Sequence, residues 1–359
     1  MSNYIEYEDM IAFHPGYYIK ELVEDSGLTQ EDFAKRLGTT PKNLSVIING
    51  EQRLSIEIAT KLSRMFGTSV MFWLNLQNTY DEKMAEYLSH EELVKERDVF
   101  KFIDYKYFRD NFGLPNLSRK VDEQIKCVRD FLNVSSLTVL EEAKFAVNFR
   151  SDRDKLSKSN IINANLMVEI AINKALKIDA PKFNKRKFKK VIPFILSQTK
   201  NHDGFLPEVT NALKETGVIL VVLPNIKNSG INGATKRVDG KVMLMINDRR
   251  HYADTFWFTL FHEIGHVMNN DFGMTIKDSA EDEADLYARN ALIPEEPYQL
   301  FIKNCEYYNE KIIVEFADSI DQDPGIVLGR LMKDEIIPYS NKRLSANLRH
   351  KYTIDVNYA

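Results

Sequence analysis

The stretch "LTQEDFAKRLGTTPKNLSVIING", residues 28–50, leaves the chain few ways to fold. Thr29 is an N-cap residue directly before "QEDFAKRL", and Gly38 stops that helix. Thr40, with Pro41 at the first helical position, opens "KNLSVIIN", which Gly50 ends. Phe33, Ala34, Leu37, Leu44, Ile47 and Ile48 fall at spacings that face one shared core. Two short helices on a tight turn form a helix-turn-helix. The second helix of such a unit presents its N-terminal side chains to base edges, which nominates Lys42, Asn43 and Ser45. Gln30, Thr39, Thr40 and Arg53 are placed for phosphates. The partner so implied is double-stranded operator DNA, and because these readers pair on two half-sites, a homodimer is expected. Residues 1–80 nevertheless hold seven basic against ten acidic side chains, a local net charge of −3, and the whole chain carries −4. Contact with a polyanion must therefore come from a local face.

At 359 residues the chain is long enough for two or three domains, and its 44% hydrophobic and 28% charged residues are globular in balance. The longest apolar runs, "FWFTLF" and "VILVVLP", are too short to span a bilayer, and the start "MSNYIEYEDM" is acidic rather than signal-like. A soluble cytoplasmic protein without a membrane partner is the expectation. Cys127 and Cys305 sit outside any CxxC pattern, so neither a disulfide framework nor a thiolate metal site is indicated.

The expected fold is mainly α, of α+β type, in three parts. Residues 1–80 form the helix-turn-helix bundle, with Trp73 as a packing residue, and residues 81–200 form a glycine-poor helical middle without a chemical motif. The basic "KFNKRKFKK" in that middle reads as a solvated helix edge. In residues 201–359, "GVILVVLP" and "KVMLMIN" read as strands around a hairpin-like or strand-connecting "NSGINGATKRVDG", followed by helices. Near the end, "FADSIDQDP" echoes "FAKRLGTTP" at four positions, which reads as a packing unit rather than a second DNA reader.

One of the later helices holds "FTLFHEIGHVMNN". Residues i and i+4 share a helix face, so His262 and His266 can offer ring nitrogens to one ion, with Glu263 beside them. Two neutral imidazoles, a neighbouring glutamate as general base and a metal-activated water make up the chemistry of a zinc hydrolase. Leu260, Phe261, Ile264 and Val267 anchor the opposite face, and Gly265 calls for a backbone packed closely against it. A catalytic zinc wants a third protein ligand, and the next helix, "SAEDEADLYARNALI", begun at Ser279 and halted by Pro294, offers Glu281, with Asp285 one turn on to orient a histidine N–H. Ala284 and Ala288 leave room for a neighbouring helix. Glu283 is the rival ligand, about 160° around the helix from Asp285. The strand "KVMLMIN" is a candidate edge for an extended substrate, and His251 and Tyr252 are candidate oxyanion or substrate contacts.

"MLMINDRRHYADTFWFTLFHEIGHVMNN" followed by "EDEADLYARNALIP" resembles the ImmA/IrrE family of gluzincin-type zinc metallopeptidases. The resemblance implies Zn²⁺ held by His262, His266 and Glu281, Glu263 as general base, and Asp285 at the family's Asn/Asp position. Residues 14–77 are similar to HigA-type antitoxin domains of the Xre class, and "FADSIDQDPGIVLGRLMKDEIIPYS" resembles the tail of HigA–peptidase fusions. Together these imply a DNA-binding regulator with an endopeptidase that cleaves a protein partner, a repressor or toxin-system component. The alternative is a non-hydrolytic antitoxin or repressor whose metal domain senses a signal or binds a toxin.

Overall fold

The helix starts written into residues 28–50 are made in three dimensions by single side chains, and the stops fall at Gly38 and Gly50, whose φ values are 73° and 71°. In the computed structural model, which describes residues 4–7, 10–142, 157–249, 251–272 and 278–352, contacts divide the chain into Met1–Lys95 and Glu96–Ala359. The first unit opens with an antiparallel hairpin, β1 (Tyr4–Tyr7) and β2 (Met10–Phe13). Helices α1 (Pro15–Asp25), α2 (Gln30–Leu37), α3 (Pro41–Ile48) and α4 (Ile56–Phe66) follow, then α5 (Val70–Phe100), whose last five residues belong to the second unit. Thr29 Oγ1 accepts the Asp32 N–H and Thr40 Oγ1 accepts the Asn43 N–H, each at 3.1 Å. Each bond satisfies an amide that the first turn of a helix leaves orphaned. All six apolar positions expected to meet are buried together with Ile19, Ile58, Leu62 and Trp73, and the Trp73 indole donates to Thr68 Oγ1 at 2.8 Å. The hairpin was not foreseen, because its acidic segment lacks a clear alternation. The boundary expected at 80/81 falls inside the 31-residue α5.

The second unit contains α6 (Tyr105–Phe112), α7 (Val121–Leu132), α8 (Lys158–Lys177), α9 (Lys185–Ser197) and α10 (Phe205–Lys214). It continues with β3 (Val218–Pro224), β4 (Gly233–Val238), β5 (Lys241–Asp248), α11 (Ala253–Asn269) and α12 (Asp278–Leu292). It ends with α13 (Glu295–Asn304), α14 (Glu310–Ser319), α15 (Pro324–Lys333) and α16 (Lys342–Leu348). The side chain of Ser279, expected to open α12, lies outside the described residues.

The helices from α6 onward are not a separate middle. β3 and β5 are apolar at successive positions, so both faces of their sheet need cover. Val218, Leu220, Val222, Val242, Leu244 and Ile246 share a core with α11. α8, whose Leu166, Met167 and Ile170 are buried, also packs on β3 and β5, and Lys241 Nζ on β5 donates to the carbonyl of Ile178 just past α8, at 2.8 Å. Tyr107 on α6 donates to the Pro224 carbonyl at 2.9 Å. In α9 the basic run behaves as expected: Phe188 is buried, while Arg186, Lys187, Lys189 and Lys190 are exposed.

The strand order is β3-β5-β4, parallel for β3 with β5 and antiparallel for β4 with β5. Asp239 and Gly240, with φ of 49° and 75°, form the two-residue turn of the β4–β5 hairpin. This corrects the expectation that "KVMLMIN" is an edge. It is β5, paired on both sides and buried along its length. Among the described strands β4 pairs with β5 alone.

The C-terminal echo is a packing unit. Asp323 Oδ1 caps α15 by accepting the Gly325 N–H at 2.8 Å, and Ile326, Val327, Leu328 and Leu331 are buried in the core with α11. A helix covered in this way has no face for a DNA groove. The same region is tied to the start of α11 by a buried fork: Arg349 Nε and Nη2 donate to Asp254 at 3.0 and 2.8 Å. Arg349→Met leaves a buried carboxylate unpaired, and we expect a loss of about 3–5 kcal/mol of stability, read from the midpoint of urea unfolding at neutral pH. No helix among the described residues is long and apolar enough to cross a membrane.

Candidate metal centre and nucleic-acid interface

α11 carries the H-E-x-x-H residues under the sheet, with Glu263 5% and His266 3% exposed. α12 lies against it at close range. A Cβ built on Gly265 would stand 3.1 Å from Ala284 Cα, so glycine at one position and alanine at the other let the two backbones approach. That approach brings Glu281 over the histidines. His262 Nε2 and His266 Nε2 are 3.1 Å apart; Glu281 Oε2 lies 3.3 Å from the first and Oε1 3.5 Å from the second. His262 Nδ1 donates to Asp285 Oδ1 at 2.8 Å, which turns Nε2 toward the centre. Glu283 points elsewhere and accepts from Asn269 Nδ2 at 3.2 Å.

Two imidazoles and a carboxylate are the donor set of a catalytic zinc, and four-coordinate zinc with bonds of about 2.0–2.1 Å separates its ligand atoms by about 3.3 Å. The 3.1 Å between the two Nε2 atoms, and the 3.3 and 3.5 Å from them to the two different Glu281 oxygens, are near that spacing. The electrostatics fit a cation as well. Burial disfavours a charged His262, yet hydrogen bonds to Asp285 and Glu281 outweigh it and push the imidazole up to about 10. Burial alone would raise Glu281, but the two histidines hold it below the usual carboxylate range. His266 Nδ1 is buried without a hydrogen-bond partner, with Asp271 Oδ2 4.0 Å away.

Glu263 stands outside this triangle. Burial pushes its carboxyl up, against the pull of His262, His266 and Thr235. Thr235 Oγ1 on β4 donates to Glu263 Oε2 at 2.6 Å, and a Cβ on Gly233 would fall 2.5 Å from Oε1. Gly233 and Thr235 were both missed in the sequence. The readable signal was a glycine opening a strand in "GATKRV", which often marks close approach of another group. His251 and Tyr252, in contrast, do not reach the site. Ten residues of helix separate Tyr252 from His262, about 15 Å of rise. His251 Nδ1 pairs with Asp248 at 2.8 Å and Tyr252 lies under the Arg349 guanidinium, so both belong to the scaffold.

In the first unit, α3 exposes Lys42 and half-buries Ser45. Val46 and Asn49 continue the same i, i+3, i+4, i+7 face. Thr40 is engaged as the cap, and Asn43 Nδ2 donates to Thr39 Oγ1 at 2.8 Å, so these three stiffen the start of the helix. Gln30 is exposed at the start of α2, and Arg53 is ion-paired with Asp81. Lys35 pairs with Glu31 and Lys61 with Glu57, which leaves Arg36, Lys42 and Arg64 as cations without an ion pair among the described residues of this unit.

The helix-turn-helix family profile matches residues 19–73, from α1 to Trp73. Virulence-associated protein I of Dichelobacter nodosus is 35% identical over 79 residues, which span 22% of this chain and 73% of that protein. The chain belongs to the helix-turn-helix family. This helix-turn-helix protein is also 35% identical over 72 residues to an uncharacterized HTH-type transcriptional regulator, YddM, of Escherichia coli K12, covering 20% of this chain and 77% of the relative. A solved addiction module antidote protein of a HigA family from Coxiella burnetii matches at 34% identity, over 23% of this chain and 91% of its own, with a TM-score of 0.22. The family match ends well before α11 and α12.

Proposed function

We propose that this helix-turn-helix protein is a DNA-binding transcriptional regulator that carries a zinc-dependent endopeptidase, of the kind the ImmA/IrrE resemblance implies, and that the peptidase cleaves a regulatory protein partner. The α3 face of Lys42, Ser45, Val46 and Asn49 reads operator DNA, with two copies on two half-sites. The observation that carries the peptidase half is the convergence of His262, His266 and Glu281 with Glu263 buried beside them. A zinc ion held by those three residues supplies Lewis acidity and brings the pKa of water to near neutrality.

The chain's own groups do the rest. Asp285 fixes the His262 tautomer and ring direction through Nδ1. Thr235 and Gly233 hold the Glu263 carboxylate in one orientation, and its burial suits it to take a proton from an attacking water and return it to the leaving amine. β4 lies beside α11 with one edge unpaired among the described strands, where an extended polypeptide can add as a further strand. The test is what copurifies with a tagged Glu263→Gln form, which holds a substrate it does not cut. A protein retained by that form and cut by the wild type supports the reading, whereas wild-type protein loaded with zinc that cuts neither a retained partner nor an unfolded protein removes it.

A further inference from the structure

We infer that Arg237 is a specificity-determining residue that selects an acidic side chain in the bound polypeptide; the inference rests on the peptidase reading of this site. On β4, alternate residues share a face, and Gly233 and Thr235 are both turned to Glu263. Arg237 is the next residue of that series, about 7 Å along the strand from Thr235. Its guanidinium centre lies 4.5 Å from the Phe272 ring centroid, just past the C-terminal end of α11, and 6.0 Å from that of Phe183. The intervening Lys236 is on the other face of the strand.

The two rings hold the Arg237 head in place without neutralising it. No carboxylate of the described side chains pairs with it, and the residue is exposed. A planar guanidinium braced on aromatic rings, with no hydrogen-bond partner for its N–H donors among the described residues, recognises a carboxylate. An extended chain added to the edge of β4 that no described strand pairs with sets one of its own side chains directly opposite Arg237, on the face that looks toward Glu263. A carboxylate there completes the pair, and a lysine or arginine is repelled. The acidic residue then stands two positions from the one opposite Thr235.

The experiment uses the full-length zinc-loaded chain, a mixture of peptides from a digested proteome as probe, and sequencing of the newly formed ends by mass spectrometry. Wild type is compared with Arg237→Ala and Arg237→Glu. We expect Asp and Glu to be enriched about three- to tenfold at one fixed position within three residues of the cut. That preference is lost in Arg237→Ala and reversed toward Lys and Arg in Arg237→Glu, an inversion that a purely structural role for Arg237 would not produce. Cleavage whose residue preferences are the same in wild type and Arg237→Glu overturns the inference and leaves the peptidase reading standing. If none of the three forms cuts any peptide, the peptidase reading fails and this inference falls with it.

Discussion

Glu263→Gln is expected to keep one zinc per chain and to lower the rate of cleavage by about 100- to 10,000-fold, the range associated with removing a general base. The retention follows from geometry: Glu263 lies outside the triangle of His262, His266 and Glu281, and a glutamine can still accept the Thr235 hydroxyl at 2.6 Å. The loss follows from chemistry, since an amide cannot take up the proton that the carboxylate does. His266→Ala should do the opposite and lose the metal, because it removes one of the three side chains that converge there. Asp285→Asn should leave the ligands in place but weaken zinc about 10- to 100-fold, since it removes the carboxylate that orients His262. Elemental analysis of each purified form, set beside its cleavage rate, reads all three. A wild type that carries no zinc after purification from zinc-supplemented medium, or a glutamine form that cuts at the wild-type rate, rejects the assignment.

Lys42→Ala is expected to weaken operator binding by about 1–3 kcal/mol, roughly 5- to 150-fold, and to relax the sequence preference at one position if the lysine reads a base edge. Lys42 sits at the exposed start of α3 and has no ion pair among the described residues, so truncating it removes a contact without breaking an internal one. Arg53→Ala should cost less, because Arg53 must first leave Asp81 to reach a phosphate. Arg36, Lys42 and Arg64 are the cations of this unit without an ion pair among its described residues, and if all three reach phosphates the affinity should fall with salt at a log–log slope of about −3 per bound copy. Binding titrations at several salt concentrations, on operator and on scrambled DNA, measure both quantities. Equal losses on the two DNAs would assign Lys42 to the backbone, and no loss on either would remove α3 as the reading helix.

How much was legible depended on whether a feature is local. The caps Thr29 and Thr40 act on amides three residues away, so their effect is written next to them in the chain. The pairing of His262 with His266 follows from one turn of helix, and Asp285 follows Glu281 by the same spacing. Thr235 and Arg237 lie on a strand well before α11, and nothing in the chain between them states that β4 will lie beside Glu263. The choice of β5 as the centre of the sheet was equally hidden. Its apolar run is compatible with an edge until the parallel pairing of β3 and the hairpin to β4 claim both sides.

The sequence alone determined the helix-turn-helix, the two helices that carry the histidines and carboxylates, and the face on which each of these side chains lies, because caps, period and spacing are properties of a few consecutive residues. Tertiary structure alone decided that Glu281 rather than Glu283 meets the histidines, that His251 and Tyr252 serve the scaffold, and that Gly233 and Thr235 fix Glu263. The physical reason is distance along the chain. Helix α12 can settle against α11 only where Gly265 and Ala284 let the backbones approach, and that one contact sets which carboxylate points inward.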